Sequence, residues 1–306
     1  MSYEDVCVLI PALNEEQSIE HVILQFKDLG FRNILVVDGH STDRTVDLAE
    51  KAGARVFVQS GIGKGRALKE IFDIINEDFI LLIDGDGTYL PSEAPKLLEP
   101  LFIGRADHVV GNRFDLLKGG ALKRLNFLGN KLINRFFSLI YKVDLGDILS
   151  GYRAFSTEGI RVLDLSKPGF EIESEMTIES VKKGLKIVEV PISYNARVAG
   201  TRTKLNPFRD GLKIILTIFR MAKTQNPMFY FGIIGSLFLV TGILAGLYVV
   251  REWLNGRIEH LPLTILTAIL IIVGFQLFII GLLGDVMASH HQEVMHEIFR
   301  VYRRKK

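Results

Sequence analysis

The sequence predicts an α/β domain built on a mainly parallel sheet, followed by amphipathic helices and a two-helix membrane hairpin. Three observations carry that expectation. Over roughly the first 200 residues, apolar β-rich runs alternate with helix-period segments, the signature of parallel strands joined by helical crossovers. Near the C-terminus, two stretches of 23 and 24 residues, 228–250 and 261–284, hold no charged side chain. Each exceeds the ~20 residues that cross a hydrocarbon core. Finally, carboxylates cluster where three of the expected strands end. The 306 residues are 48% hydrophobic, with 37 Lys+Arg against 35 Asp+Glu. With a mean hydropathy of +0.25, this composition argues against a disordered, collagen-like or wholly soluble chain.

In chain order, strands are expected over 6–10, 34–38, 54–59, 79–84 and 108–111, and helices over about 15–29, 42–52, 64–76 and 92–101. Ligands of such sheets bind outside the carboxyl ends of the strands. Strand one ends in Pro11-Ala12-Leu13-Asn14-Glu15-Glu16 and strand two in Asp38-Gly39-His40-Ser41-Thr42-Asp43. Thr42 and Asp43 read as caps of the next helix. Asp38 closes an apolar strand without being needed as one. Asp84 and Asp86, one residue apart past an apolar strand, suit a hard divalent cation bridging nucleotide phosphates. The competing reading is a plain Asp-Gly turn. Gly61-Ile62-Gly63-Lys64-Gly65 fails the dinucleotide fingerprint at Arg66 and the P-loop pattern at Gly65. Lys64 at a helix start suits an anionic nucleotide, with a solvated lysine in a glycine turn as the alternative.

Residues 113–142 carry seven bases and one acid, Asp115, interleaved with apolar side chains at helical spacing. Residues 204–223 repeat the theme with five bases and one acid. Both suit a bilayer surface and hold the domain against it; nucleic acid is not an expected partner. Between the spans the connector has two bases, whereas Lys213, Arg220 and Lys223 precede the first and five bases follow Phe299. The positive-inside rule then puts the N-terminal domain and both termini in the cytoplasm of a two-span cell-membrane protein. Gly242 and Gly246 allow the two helices to approach closely. The single cysteine, Cys7, forms no intrachain disulfide, and no basic segment with a long apolar run opens the chain, so no cleaved signal peptide is expected. The expected layout is therefore a domain over 1–203 with an interfacial helix at about 121–142, a juxtamembrane helix over 204–226, the hairpin over 227–286, and a basic tail over 287–306. In that tail, His290, His291 and His296 read as solvated rather than metal-binding.

Taken together, Pro11 to Glu16, the Asp38 segment, Asp84-x-Asp86, Gly111-Asn112-Arg113, the Asp147-Ile-Leu-Ser-Gly-Tyr-Arg153 run and the terminal hairpin resemble polyprenyl-phosphate glycosyltransferases of the GT-A, family 2 type. The likeness is greatest to dolichyl-phosphate hexose synthases of archaeal protein N-glycosylation. It implies a Rossmann-like GT-A domain that transfers a sugar from a nucleotide-sugar to dolichyl phosphate. It implies that Pro11, Leu13, Glu15 and Asp38 surround the base and ribose, with Asp38 accepting from the base. Asp84 and Asp86 then hold Mg2+ or Mn2+ on the donor diphosphate, and Arg113 meets the acceptor phosphate. Arg124, Asn130 and Lys131 are further candidates for that phosphate, as are Arg202 and Lys204 in the loop before the juxtamembrane helix. Two positions depart from mannosyl members: Thr88 stands in place of a Gln, and Leu13 where an aromatic residue can sit. Thr88 removes the third side-chain contact to the metal that the resemblance implies, and these departures together with the overall likeness to archaeal glucose and N-acetylglucosamine enzymes favour UDP-glucose or UDP-N-acetylglucosamine over GDP-mannose.

The chemistry suits these residues, because a phosphate monoester is already anionic and attacks without surrendering a proton. Asp86 and Arg113 are thus the expected catalytic pair, serving the leaving and the attacking phosphate. Glu173 and Glu175 are expected either to line the acceptor mouth or to be exposed helix carboxylates. Competing readings are a processive glycan synthase, which needs more spans than two, a GDP-mannose-using synthase, and a non-catalytic membrane scaffold.

Overall fold

The computed structural model describes residues 3–117, 124–197, 207–256 and 261–304. By its internal contacts the chain forms two compact units, Met1–Ile218 and Phe219–Lys306. The division falls inside the juxtamembrane helix rather than at residue 203.

The first unit is built on a seven-stranded sheet: β1 (Val6–Ala12), β2 (Asn33–Asp38), β3 (Arg55–Val58), β4 (Phe79–Leu82), β5 (His108–Leu117), β6 (Arg153–Ser156) and β7 (Ile187–Tyr194). Its spatial order is β3-β2-β1-β4-β6-β5-β7, parallel throughout except where β6 runs antiparallel to both neighbours. The mainly parallel sheet is therefore as the sequence indicates. The five expected strands and four expected helices all form, with ends shifted by a few residues. β5 is longer than its apolar run, because pairing with β7 carries it through Asn112, after which the register shifts. That extension puts Arg113 on a strand rather than in a loop.

β1 is apolar on both faces, as a central parallel strand must be. Val6, Val8 and Ile10 pack into one layer with α1 (Ile19–Asp28) and α4 (Ala94–Phe102). Cys7 and Leu9 pack into the other with α3 (Lys64–Phe72), α6 (Thr157–Arg161) and α7 (Ile172–Lys182). Burial pushes the Cys7 thiol up to about 12, so it behaves as a small apolar side chain. From β1 the sheet grows in opposite directions, through β2 and through β4. This reversal opens a crevice at the carboxyl ends of these strands.

Ahead of α2 (Thr45–Lys51), Asp43 accepts from the Thr45 backbone N–H at 3.0 Å, but the N-cap position is Arg44 and makes no side-chain cap bond, so neither Thr42 nor Asp43 is the cap expected from the sequence. α5 (Arg124–Tyr141) buries Ile133, Phe137 and Ile140 while leaving Leu128, Leu132 and Leu139 exposed. α8 (Pro207–Gln225) accepts a hydrogen bond at the Ile218 carbonyl from the Tyr141 hydroxyl at 2.9 Å, and exposes Phe208, Leu212 and Leu216.

The second unit holds α9 (Pro227–Leu254) and α10 (Leu261–Arg304), both long and apolar enough to cross a membrane. Most of their leucines and isoleucines are exposed, which is the reverse of a soluble core helix. α9 opens on Asn226, whose side chain accepts from the Phe229 N–H at 3.1 Å, with Pro227 at the first helical position. The helices approach closely at glycines. A Cβ at Gly242 would lie 2.9 Å from Ile271, and one at Gly246 3.1 Å from Thr267. Instead of ending with its apolar run, α10 continues as one helix to Arg304.

Candidate active site

The crevice is lined by the three strand ends picked out in the sequence. The segment after β1 is strapped to the segment after β2. Asn14 N donates to Ser41 Oγ at 2.8 Å, Thr42 N to Asn14 Oδ1 at 2.8 Å, Glu15 N to Thr45 Oγ1 at 2.8 Å and Glu16 N to Asp43 Oδ2 at 3.2 Å. Burial pushes the Asp43 carboxyl up, but the hydrogen bonds from Thr45 and Glu16 outweigh it and hold it below the usual range. Asn14 and His40 sit at φ 49° and 68°, left-handed conformations that turn each segment sharply. Pro11 and Leu13 stay partly exposed beside Asp38, whose Oδ2 accepts from Ser41 N at 3.0 Å. Asp38 Oδ1 is buried with no hydrogen-bond partner among the described residues.

Past β4, both aspartates contact cations. Lys64 Nζ lies 2.6 Å from Asp84 Oδ1 and 2.6 Å from Glu173 Oε1. Burial lowers the Lys64 pKa, but Asp84 and Glu173 raise it by more, so the ammonium is held charged. The solvated-lysine alternative is therefore excluded. Arg197 Nη2 lies 2.5 Å from Asp86 Oδ2, and its Nη1 is 3.9 Å from Glu15 Oε1. Asp86 Oδ1 accepts from the Thr88 hydroxyl at 2.6 Å and from Thr88 N at 3.0 Å. Thr88 thus orients Asp86, a role the sequence reading did not assign. At Gly151, in the Asp147 to Arg153 run, a Cβ would collide with the Asp84 carboxylate, so this position stays small.

Arg113, on β5, is buried and forked onto Asp147: Nε to Oδ2 at 2.6 Å and Nη2 to Oδ1 at 2.8 Å. Burial lowers its pKa, but Asp147 raises it further, well above the usual value. Its guanidinium carbon also lies 5.3 Å from the Tyr194 ring centre. Asp147 is held in turn, since Glu189 accepts from Gly146 N at 2.8 Å and Asp147 N at 2.9 Å. Behind it, Arg153 donates to the carbonyls of Ser150 at 2.8 Å and Ile148 at 2.6 Å, bracing the turn.

The other expected residues are less well gathered. Asn130 and Lys131 lie on α5, partly buried and exposed, with no hydrogen bond or ion pair to Arg113 among the described residues. α5 begins at Arg124, whose side chain lies outside the described residues, as do Arg202 and Lys204. Glu173 and Glu175 are buried rather than exposed. Glu173 holds Lys64, whereas Glu175 accepts from Ser166 N and Oγ and from Lys167 N, a structural duty at the start of α7. Arg197 and Asp147 were missed as partners. Their ion pairs join segments distant in sequence, and only the fold brings them together.

The donor set suits a divalent cation. Around the end of β4, five carboxylates (Glu15, Asp84, Asp86, Asp147, Glu173) contact three cations (Lys64, Arg113, Arg197), leaving two formal negative charges. No group of three or more Asp, Glu, His or Cys is arranged to hold a metal among the described residues. Asp84 and Asp86 are two hard oxygen donors of the kind a divalent cation on a diphosphate takes.

A mainly parallel sheet with paired aspartates at its switch point and basic side chains on either side defines an α/β protein whose crevice suits an anionic ligand. The chain belongs to glycosyl transferase family 2, whose profile matches residues 7–163, and it is a glycosyltransferase. It is 47% identical to glycosyltransferase AglJ of Haloferax volcanii over 96% of this chain and 97% of that one. It is 31% identical to the dolichyl-phosphate hexose transferase of the same organism, over 74% of this chain and 97% of that one. Among solved structures it resembles glucosyl-3-phosphoglycerate synthase from Mycobacterium tuberculosis, in complex with Mn2+ and UDP-glucose. That match has 27% identity and a TM-score of 0.59, covering 71% of this chain and 78% of that one.

Proposed function

We propose that the enzyme transfers a hexose from UDP-glucose or UDP-N-acetylglucosamine to dolichyl phosphate, with inversion at the anomeric carbon, to make a lipid-linked sugar for protein N-glycosylation. The observation that carries this reading is the grouping of Asp84 and Asp86 with Lys64 and Arg197 at one strand end, two carboxylates and two cations where a nucleoside diphosphate needs both. The relative named dolichyl-phosphate hexose transferase supports the acceptor class. The UDP-glucose complex of the structural neighbour supports the donor.

In the reaction a phosphate oxygen of the lipid bonds to the anomeric carbon as the bond from that carbon to the donor's β-phosphate oxygen breaks. UDP leaves with the electron pair and no proton moves, so no general base is required. Asp84 and Asp86 would hold Mg2+ or Mn2+, which when bound supplies positive charge against the leaving diphosphate. Arg113, fixed by Asp147, offers its remaining N–H edge to the acceptor phosphate and so offsets the repulsion between two anions. Arg124, Asn130, Lys131, Arg202 and Lys204 are assigned to the same phosphate on the family resemblance.

Placement follows from the helices. The leucine stripe of α5, flanked by exposed Lys131 and Arg135, and the Phe208, Leu212 and Leu216 stripe of α8 suit insertion at an anionic leaflet. With α9 and α10 as spans and the basic C-terminus inside, the site faces the cytoplasm, where nucleotide-sugars are available.

The test is to incubate the purified full-length protein with dolichyl phosphate, Mg2+ or Mn2+ and, separately, labelled UDP-glucose, UDP-N-acetylglucosamine and GDP-mannose. Lipid-phase label from one UDP-sugar, as the inverted anomer, is the expected result. Label from GDP-mannose alone overturns the donor, and retention of configuration overturns the mechanism.

A further inference from the structure

α5 meets the surroundings of Arg113 at two places. Near its start the Phe127 ring packs edge-on against Phe114, with centres 5.5 Å apart, and the Phe114 ring centre lies 5.8 Å from the Arg113 guanidinium carbon. Two helical turns on, Asn134 sends its side-chain amide into the turn that carries Asp147. Asn134 is 6% exposed, donates from Nδ2 to the Gly146 carbonyl and accepts at Oδ1 from Ile148 N at 3.3 Å. These partners dictate which way the amide faces, since a carbonyl needs a donor and an N–H an acceptor. The turn is clamped at its other backbone groups as well. Glu189 accepts from Gly146 N and Asp147 N, the Asp147 carbonyl accepts from Ser150 N at 3.5 Å, and the Ile148 carbonyl accepts from Arg153. Glu189 lies on β7 and Arg153 on β6, so those clamps belong to the sheet, and Asn134 is the one that α5 adds. All of them converge on the fully buried Asp147, which holds Arg113 at Nε, Nη2 and the backbone N.

We infer that Asn134 is a positioning residue for the acceptor phosphate: it locks the Gly146–Ile148 turn from the side of α5 and so holds Asp147, and through it the free edge of Arg113, in the orientation that meets the phosphate. The inference rests on the reading of Arg113 as the residue that meets the lipid phosphate, and deepens it. The chemistry of the turn selects an amide. One donor and one acceptor in a plane match a carbonyl and an N–H two residues apart. A carboxylate, which only accepts when ionised, would set an oxygen against the Gly146 carbonyl, and an aliphatic side chain would leave both backbone groups unpaired. Either change frees the turn to shift, and the Arg113 fork shifts with it. The donor carboxylates are held separately, Asp84 by Lys64 and Asp86 by Thr88, so donor affinity does not follow the turn. Asn134 stands one helical turn beyond Asn130, the amide assigned to this phosphate on the family resemblance.

The experiment is steady-state transfer by the full-length protein in detergent, with Mn2+, dolichyl phosphate and whichever of UDP-glucose and UDP-N-acetylglucosamine labels the lipid. The proteins compared are the wild type, Asn134→Asp, Asn134→Leu, Arg113→Lys and the double variant Asn134→Asp/Arg113→Lys. Each Asn134 variant should raise KM for dolichyl phosphate roughly tenfold, about one hydrogen bond's worth, and leave KM for the donor within about twofold of wild type. Because Asn134 acts through Arg113, adding Asn134→Asp to Arg113→Lys should raise the lipid KM by less than about threefold more. A side chain that only stabilised the fold would lower the amount of folded protein and move neither KM. Should Asn134→Leu fail to fold, the near-isosteric Asn134→Asp gives the same reading. An unchanged lipid KM in a folded variant, or a full additive effect on top of Arg113→Lys, overturns the role of Asn134 and leaves the acceptor reading standing. A lipid KM that Arg113→Lys leaves unchanged, or a folded wild type that labels no lipid, overturns both.

Discussion

Lys64 Nζ lies 2.6 Å from Asp84 Oδ1, and the same ammonium lies 2.6 Å from Glu173 Oε1, tying the end of β4 to the first turn of α7. Glu173 is 5% exposed, so removing the ammonium strands a buried carboxylate. Lys64→Met is expected to cost about 3 kcal/mol of stability. Adding Glu173→Gln should recover much of that loss without restoring donor affinity. Denaturant unfolding and UDP titration of both variants check this. The folded pKa of Lys64 lies above its ordinary 10.5. Its stabilising contribution is therefore complete below that value and is lost only as pH rises through the folded one.

The fork between Arg113 and Asp147 makes a second expectation. Asp147→Asn leaves a buried guanidinium without its counter-charge and should destabilise by about 3 kcal/mol. Arg113→Lys keeps the charge but loses the planar fork. It should raise KM for the lipid phosphate about tenfold while leaving KM for the nucleotide-sugar near wild type. Steady-state kinetics with each substrate varied in turn separate the two.

Thr88 holds Asp86 Oδ1 through both its hydroxyl and its N–H. Thr88→Val removes only the hydroxyl bond. Because partners behind a ligand orient it, Mn2+ affinity in the presence of UDP should fall by roughly 10- to 100-fold. Stability should change by only about 1 kcal/mol. Electron paramagnetic resonance titration of free Mn2+ measures the first and thermal unfolding the second.

His108 offers a pH test. Arg153 Nη1, 3.2 Å away, can only donate, so His108 Nε2 accepts and Nδ1–H donates to Ser180 Oγ at 2.9 Å; Ser180 then donates to the Met176 carbonyl at 2.7 Å. Burial first, and the Arg153 charge second, hold the folded pKa well below 6.5. The unfolded chain therefore binds the extra proton, and the histidine's contribution is present above about pH 6.5 and shrinks as pH falls below it. Unfolding free energies at pH 7.5 and 5.5 should differ less in His108→Gln than in the wild type.

Much of this architecture was legible in the sequence, and the reasons are local. The apolar run of β1, the uncharged run of α9 and the Asp84-x-Asp86 spacing are properties of contiguous residues. What escaped depends on packing between distant segments. β6 and β7 are short or polar enough to lack a periodic signal, and the partnership of Arg197 with Asp86 or Glu173 with Lys64 exists only once helices and strands are assembled. Glu173 and Glu175 illustrate the limit: the sequence left them between the acceptor mouth and an exposed helix face, yet both are buried, one against Lys64 and the other anchoring the Ser166 turn.

The most direct test of the central claim is the transfer of labelled sugar into the lipid phase by the wild type and by Asp86→Asn, purified in detergent, supplied with UDP-sugar, Mn2+ and dolichyl phosphate, and matched for thermal unfolding. The account predicts lipid-linked label from the wild type and a loss of at least about a hundredfold in the variant. Equal labelling by both proteins, or none by a folded wild type with either UDP-sugar, contradicts it.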